Sequence, residues 1–121
     1  MYDKVFIAGI GAVSAIGMNA GETLSSLKTS RHGVCKVDFI DTIYKGKIPF
    51  AEIKKSNREL KEHLDLDPDT IITRTSLFGM TAAREAIINA GLELSRWRCG
   101  LVSATSVGGM DLSERFYDEF Y

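Results

Sequence analysis

The stretch that most constrains this chain is Arg98–Asp111, which reads RCGLVSATSVGGMD. Cys99-Gly100-Leu101-Val102 is an apolar run with the length and composition of a strand buried on both faces. The sequence then turns small and polar through Ser103-Ala104-Thr105-Ser106, passes Val107, and opens into Gly108-Gly109 before a helical pattern at Asp111. Strand, glycine-rich turn and helix start, in that order, are how an α/β protein brings a ligand close to backbone at the carboxyl end of a strand. The same glycine pair equally fits a tight turn that needs positive φ and holds no ligand. Architecture is better defined here than chemistry.

With 121 residues the chain has room for one domain at most. An apolar content of 45% with 26% charged residues argues against disorder. The formal net charge is -1, without a run of like charges, and the pairs Lys54-Lys55 and Arg96/Arg98 are too sparse for the basic stripe that nucleic acid requires. Cys35 and Cys99 have no CxxC spacing, which excludes a zinc site or disulfide scaffold of the usual kind. Cys99, at the head of the apolar run, reads as core, and nothing near Cys35 would activate it. His32 and His63 share no metal-ligand spacing. The expectation is no metal site.

Near the N-terminus, Val5-Phe6-Ile7-Ala8 reads as a first buried strand running into Gly9-Ile10-Gly11-Ala12-Val13-Ser14-Ala15-Ile16-Gly17. A dinucleotide fingerprint needs its third glycine where Ser14 stands, because that glycine lets the helix pack on the strand. No GK[ST] phosphate loop is present either, so a nucleotide cofactor is not expected. A secretory leader is also a poor fit. Asp3 cancels Lys4, and glycines interrupt an apolar stretch too short to span a bilayer. The chain reads as cytoplasmic and not membrane-bound.

Asn19-Ala20-Gly21-Glu22 and Ser56-Asn57-Arg58-Glu59 are capping-box patterns, each opening a short helix, the first with Ala20, Leu24 and Leu27 on one face. The second ends near Leu64. Ile48–Ile53 predicts a short strand that Pro49 confines to an edge, after turn chemistry at Lys45-Gly46. Asp67-Pro68 predicts the start of the main helix, which runs to about Ala90 and stops at Gly91. Its alanines imply a close backbone neighbour, so this helix is expected to be sandwiched. Arg74 and Arg84 face either solvent or a cavity edge. Asp111 is expected to cap a last helix with Leu112, Phe116 and Phe120 spaced four apart. Closing on Phe120-Tyr121 within an amphipathic pattern reads as part of a domain.

Three blocks resemble one family. Residues Val5–Gly17 look like the opening strand and turn of the β-ketoacyl-acyl-carrier-protein synthases. Arg74–Leu92, with Ala82-Ala83-Arg84-Glu85-Ala86 and Ala90-Gly91-Leu92, resembles their long N-terminal helix. Arg98–Val102 through Thr105–Gly109 resembles their next strand and glycine turn. The resemblance implies an α/β, thiolase-like layered sandwich, of which residues 1–121 form the first part of the N-terminal half. It implies decarboxylative Claisen condensation of an acyl thioester with malonyl-carrier protein, in fatty-acid or polyketide synthesis. The implied partners are acyl carrier protein and a second condensing-enzyme chain, in a homodimer or heterodimer.

The family's nucleophilic cysteine matches neither Cys35 nor Cys99, and its histidines match neither His32 nor His63, so no catalytic residue is assigned. Val107 matches the apolar residue before the glycine pair that lines the family's acyl pocket, and Gly108 and Gly109 match the glycines shaping that wall; plain core packing is the alternative for Val107. A noncatalytic relative of chain-length-factor type is the alternative for the whole. A small nucleotide-binding module rests on Gly9 and Gly11 alone, and a short chain completed by a second polypeptide is the remaining reading.

Overall fold

Two helices, each ending where its sequence says it must, form the centre of the molecule. The computed structural model describes residues 4–117 and Phe120. Helix α1 spans Ala20–Lys28, strand β1 Val34–Cys35, strand β2 Phe50–Ala51, helix α2 Asn57–His63, helix α3 Arg74–Asn89 and helix α4 Met110–Tyr117. The strands pair antiparallel, Val34 opposite Ala51 and Cys35 opposite Phe50. The described residues thus form a small mixed helix-and-strand structure.

Helix α2 has the full reciprocal capping box: Ser56 Oγ accepts from the Glu59 N–H and the Glu59 carboxylate accepts from the Ser56 N–H. Helix α3 stops at Gly91, whose φ of 59° suits glycine. There the N–H groups of Gly91 and Leu92 reach back to the carbonyls of Ile88 and Ile87, satisfying two orphan acceptors. Helices α2 and α3 pack together, with Leu60 and Leu77 fully buried. Burial of each contributes about 2 kcal/mol.

The alanines of α3 have the backbone neighbour their pattern predicts. Residues 9–11 lie against the helix, beside Ala82, Ala86 and Ala90. A Cβ added at Gly9 would sit 2.3 Å from the Ala86 carbonyl oxygen, and one at Gly11 would sit 1.9 Å from that of Ala82. Only glycine permits this approach. Glu85 pins the segment by accepting from the N–H groups of Ala12 and Ala20, each at 2.8 Å. Gly9 and Gly11 therefore serve packing on the helix.

Several expectations are corrected. Val5–Ala8 and Cys99–Val102 are not buried strands: neither joins a ladder, and Phe6 is 78% and Val102 99% exposed. Cys99 is exposed with them. A period-free apolar run states that a segment wants cover on both faces, and these residues have no paired strand to supply it. The main helix opens at Thr73, not at Asp67. The Asp67 side chain accepts from the Asp69 N–H and its carbonyl from the Thr70 N–H, which closes a turn, and the β-branched run Thr70-Ile71-Ile72 keeps the chain out of helix until Thr73. The predicted strand at Ile48–Ile53 shortens to Phe50–Ala51. In α1 the buried residue is Ser26, bonded to the Ile16 carbonyl, while Leu24 and Leu27 are exposed.

The total accessible surface is 10007 Å². A compact protein of 13.3 kDa exposes about 6,450 Å². Val5, Phe6, Ile7, Leu101 and Val102 are among the apolar residues that contribute to the difference.

Candidate functional site

A cleft of about 1050 Å³ runs between α3 and residues 101–109. Phe78, Met80, Ala82 and Ala83 line the helix side, Leu101 and Val102 the other, and Gly108 and Gly109 stand in the same wall beside Thr73. Val107 is 69% exposed and is not among the lining residues. The turn that holds these residues is sterically defined. Gly109 has φ 88°, open to glycine and costly for other residues. A Cβ at Gly108 would lie 2.7 Å from Thr105 Cγ2.

Asp111 does not cap its own helix. It lies in the first turn of α4, which begins at Met110, and its Oδ2 accepts from the backbone N–H of Arg74 at 2.7 Å. Arg74 is the first residue of α3, so that N–H is one of the helix's orphan donors. The first turn of α3 holds no acidic residue of its own. Asp111 supplies from another element the negative charge that a helix N-terminus favours.

Arg74 is no ordinary surface arginine. Its guanidinium donates to Asn57 Oδ1 at 2.7 Å and to the carbonyls of Ile53 and Lys55 at 3.0 and 2.8 Å. It lies over the rings of Phe78 and Phe39, 4.8 and 5.7 Å from their centroids. Burial lowers its pKa, and the carboxylates of Glu52 and Asp111 oppose that shift. Arg84 pairs with Asp65 at 2.9 Å near the surface and donates to the His63 carbonyl.

Glu52 is buried, 3% exposed, and was not singled out from sequence. Its carboxylate accepts from the N–H groups of Asp38, Phe39 and Ile40 at 2.8–2.9 Å and from Lys54 Nζ at 2.8 Å. Burial pushes its carboxyl up, but Lys54 and the three amides outweigh that and hold it at about 2. The readable sign was a lone acid in the apolar strand segment Phe50–Ile53, followed by lysine.

The groups with nucleophilic or ligating character are scattered. Cys35 and Cys99 are free and exposed, and among the described residues no three His, Cys, Asp or Glu side chains converge to hold a metal. His32 and Cys35 share a second, smaller cleft of about 380 Å³ that His63 does not line. No described helix is long and apolar enough to cross a membrane.

Comparison with known proteins bears on this arrangement. The chain is 29% identical over 114 residues to 3-oxoacyl-[acyl-carrier-protein] synthase 2 of Staphylococcus aureus strain COL, a match that covers 92% of this chain and 27% of the synthase. It is 31% identical over 109 residues to 3-oxoacyl-[acyl-carrier-protein] synthase 1 of Haemophilus influenzae, covering 87% of this chain and 26% of that protein. The chain is related to these synthases. It spans about a quarter of their length. No family model and no solved structure shows significant similarity to it.

Proposed function

We propose that residues 1–121 are the first part of the N-terminal half of a β-ketoacyl-acyl-carrier-protein synthase domain of thiolase-like, layered-sandwich fold. The complete protein would be an acyltransferase that elongates an acyl thioester by decarboxylative Claisen condensation. The observation that carries this reading is the similarity to two kinds of 3-oxoacyl-carrier-protein synthase, which runs through as much as 92% of the chain. The exposed apolar runs at residues 5–8 and 99–102 support it, because they are segments that further layers of such a sandwich would cover.

In the proposed reaction a cysteine thiolate outside these residues attacks the acyl thioester, and the carrier's thiol leaves. Malonyl-carrier then loses carbon dioxide, and the carbanion attacks the acyl-enzyme carbonyl. The tetrahedral adduct collapses, expelling the thiolate and releasing the 3-oxoacyl-carrier. The chemistry requires a thiolate of depressed pKa and N–H donors for the oxyanion, and draws on no cofactor or metal. The role proposed for this part of the protein is the acyl pocket: Gly108 and Gly109, which line the cleft, shape the wall that limits chain length, and Val107, exposed beside the cleft, joins that wall in the complete protein. Acyl carrier protein is the proposed partner, a dimer the proposed assembly, and the cytoplasm the proposed compartment.

The test is an assay of the complete protein with acyl- and malonyl-carrier thioesters, combined with peptide mapping of the acylated residue. Carbon dioxide release, a 3-oxoacyl product and acylation of a cysteine other than Cys35 or Cys99 are expected. An intact, folded protein that carries another residue at the acylated position and forms no product would overturn the reading in favour of a noncatalytic relative.

A further inference from the structure

We propose that Asp111 is a positioning residue that fixes the Gly108-Gly109 turn against the start of α3 and so sets the end of the acyl pocket. The inference rests on the acyl-pocket reading given above. It begins from a mechanical problem. Gly108 and Gly109 are the residues least able to hold a wall in place, because they have no side chains to pack and the widest backbone freedom. Residues 101–109 belong to no helix or strand, so no backbone ladder fixes them. Something outside the turn must define its position.

Two contacts do so in series, and the second ends on the first residue of α3. The Ser113 N–H donates to the Gly109 carbonyl at 3.1 Å and Ser113 Oγ at 3.2 Å, which ties the turn to α4. Asp111 Oδ2 then ties α4 to the Arg74 N–H at 2.7 Å. Thr73 is the nearest neighbour on the open side of Gly109, 3.7 Å from where a Cβ would stand, so the turn faces the start of α3 across a narrow gap. Arg74 is itself immobilised by its guanidinium on Asn57, Ile53 and Lys55. The turn is therefore referenced, through one carboxylate, to a residue that is itself held by three hydrogen bonds. Phe78 carries the same reference into the cleft, since it both stacks on Arg74 and lines the wall opposite residues 101–102.

Freeing that carboxylate lets the turn move without touching any residue that meets the thioester. Such a change alters how far a chain can reach and leaves the reacting atoms where they are. One methylene in a hydrophobic pocket is worth about tenfold or more in discrimination, so a small displacement is readable.

The experiment uses the complete protein, unaltered and as Asp111→Ala and Asp111→Asn, with acyl-carrier thioesters of increasing length. For Asp111→Ala the kcat/KM for the longest chain relative to the shortest should rise about tenfold, as the wall yields. Asp111→Asn, which keeps an acceptor oxygen, should restore the original ratio. An unchanged ratio, or an equal loss at every length, overturns the proposal, because a merely structural residue affects all chains alike. Should Asp111→Ala not fold, Asp111→Glu keeps the charge and moves the acceptor by one methylene; an unchanged length profile there overturns the proposal equally. Failure of the unaltered protein to condense any chain would instead remove the acyl-pocket reading and this inference with it.

Discussion

Gly11→Ala tests the packing of residues 9–12 on α3 most directly. The φ of Gly11 lies outside the left-handed region, so backbone conformation alone would accept alanine. Alanine would also reduce the freedom of the unfolded chain, a gain of about 0.4–1 kcal/mol. Against this stands a Cβ placed 1.9 Å from the Ala82 carbonyl oxygen and 2.9 Å from the Ala86 nitrogen. Both are helix backbone and cannot swing aside. Restoring a contact of 3.4 Å requires the segment to withdraw by about 1.5 Å. That carries the Ala12 N–H, now 2.8 Å from Glu85 Oε2, beyond hydrogen-bonding range. Losing this part-buried, charge-assisted bond costs about 1.5 kcal/mol, and displaced packing about 1–3 kcal/mol. The net destabilisation is about 1.5–4 kcal/mol, roughly a 10- to 1,000-fold change in the open-to-closed ratio. Amide hydrogen exchange of peptides covering residues 8–20 and 80–90 in the complete protein reads this as faster exchange of the same order. Adding Ala82→Gly should not rescue the variant, since the clash is with backbone; it should cost about 1 kcal/mol more through helix propensity. Unchanged exchange in Gly11→Ala, or rescue by Ala82→Gly, would refute the packing argument.

Three further outcomes are expected. Glu52 has its carboxyl lowered from 4.5 to about 2, so its contribution to stability is complete above the unfolded value and lost as pH falls from about 4.5 towards 2. Glu52→Gln should flatten acid unfolding in that window, monitored by circular dichroism. A residual slope will remain, because Glu59, held down by the Ser56 N–H and then by Lys55, titrates in the same range. An acid limb identical to that of the unaltered protein would show that Glu52 is not ionised in its cradle. On the proposed function, Val107→Phe in the complete protein should shorten the longest acyl chain accepted; an unchanged product profile places Val107 outside the pocket. Residues 1–121 by themselves should be aggregated, molten or dependent on another chain, since they expose about 3,500 Å² beyond the compact value, as much as an obligate interface. A sharp, cooperative melt of dilute monomer would contradict this.

What could be read from sequence, and what could not, divides by the distance over which each signal acts. The capping box at Ser56–Glu59 and the stop at Gly91 are written within a few residues, and both form as read. The alanines of α3 announced a close backbone without naming it, and Gly9 and Gly11 proved to be that backbone. Asp67-Pro68 misled because a side chain that can cap a helix can equally close a turn, and Thr73 capped a few residues later. Asp111 misled for a related reason: a carboxylate near one helix start can serve the orphan N–H of another, and here it serves the first N–H of α3. Glu52 carried almost no local sign, since its three amide donors come from residues 12–14 positions earlier.

The glycine turn shows the same division with a functional consequence. Its shape is local, in the positive φ of Gly109 and the Thr105 contact that bars a side chain at Gly108. Its position is not local, because nothing between Leu101 and Gly109 fixes where the turn sits relative to α3. That position is held across 37 residues by Asp111 on Arg74, and Arg74 in turn is held from 17–21 residues away by Asn57, Lys55 and Ile53. A motif can therefore name the residues that border a pocket while leaving open how large the pocket is. If Asp111 positions the turn as proposed, that size depends on a carboxylate outside the motif, and two proteins sharing the glycine pair but differing at residue 111 should differ in the chains they admit.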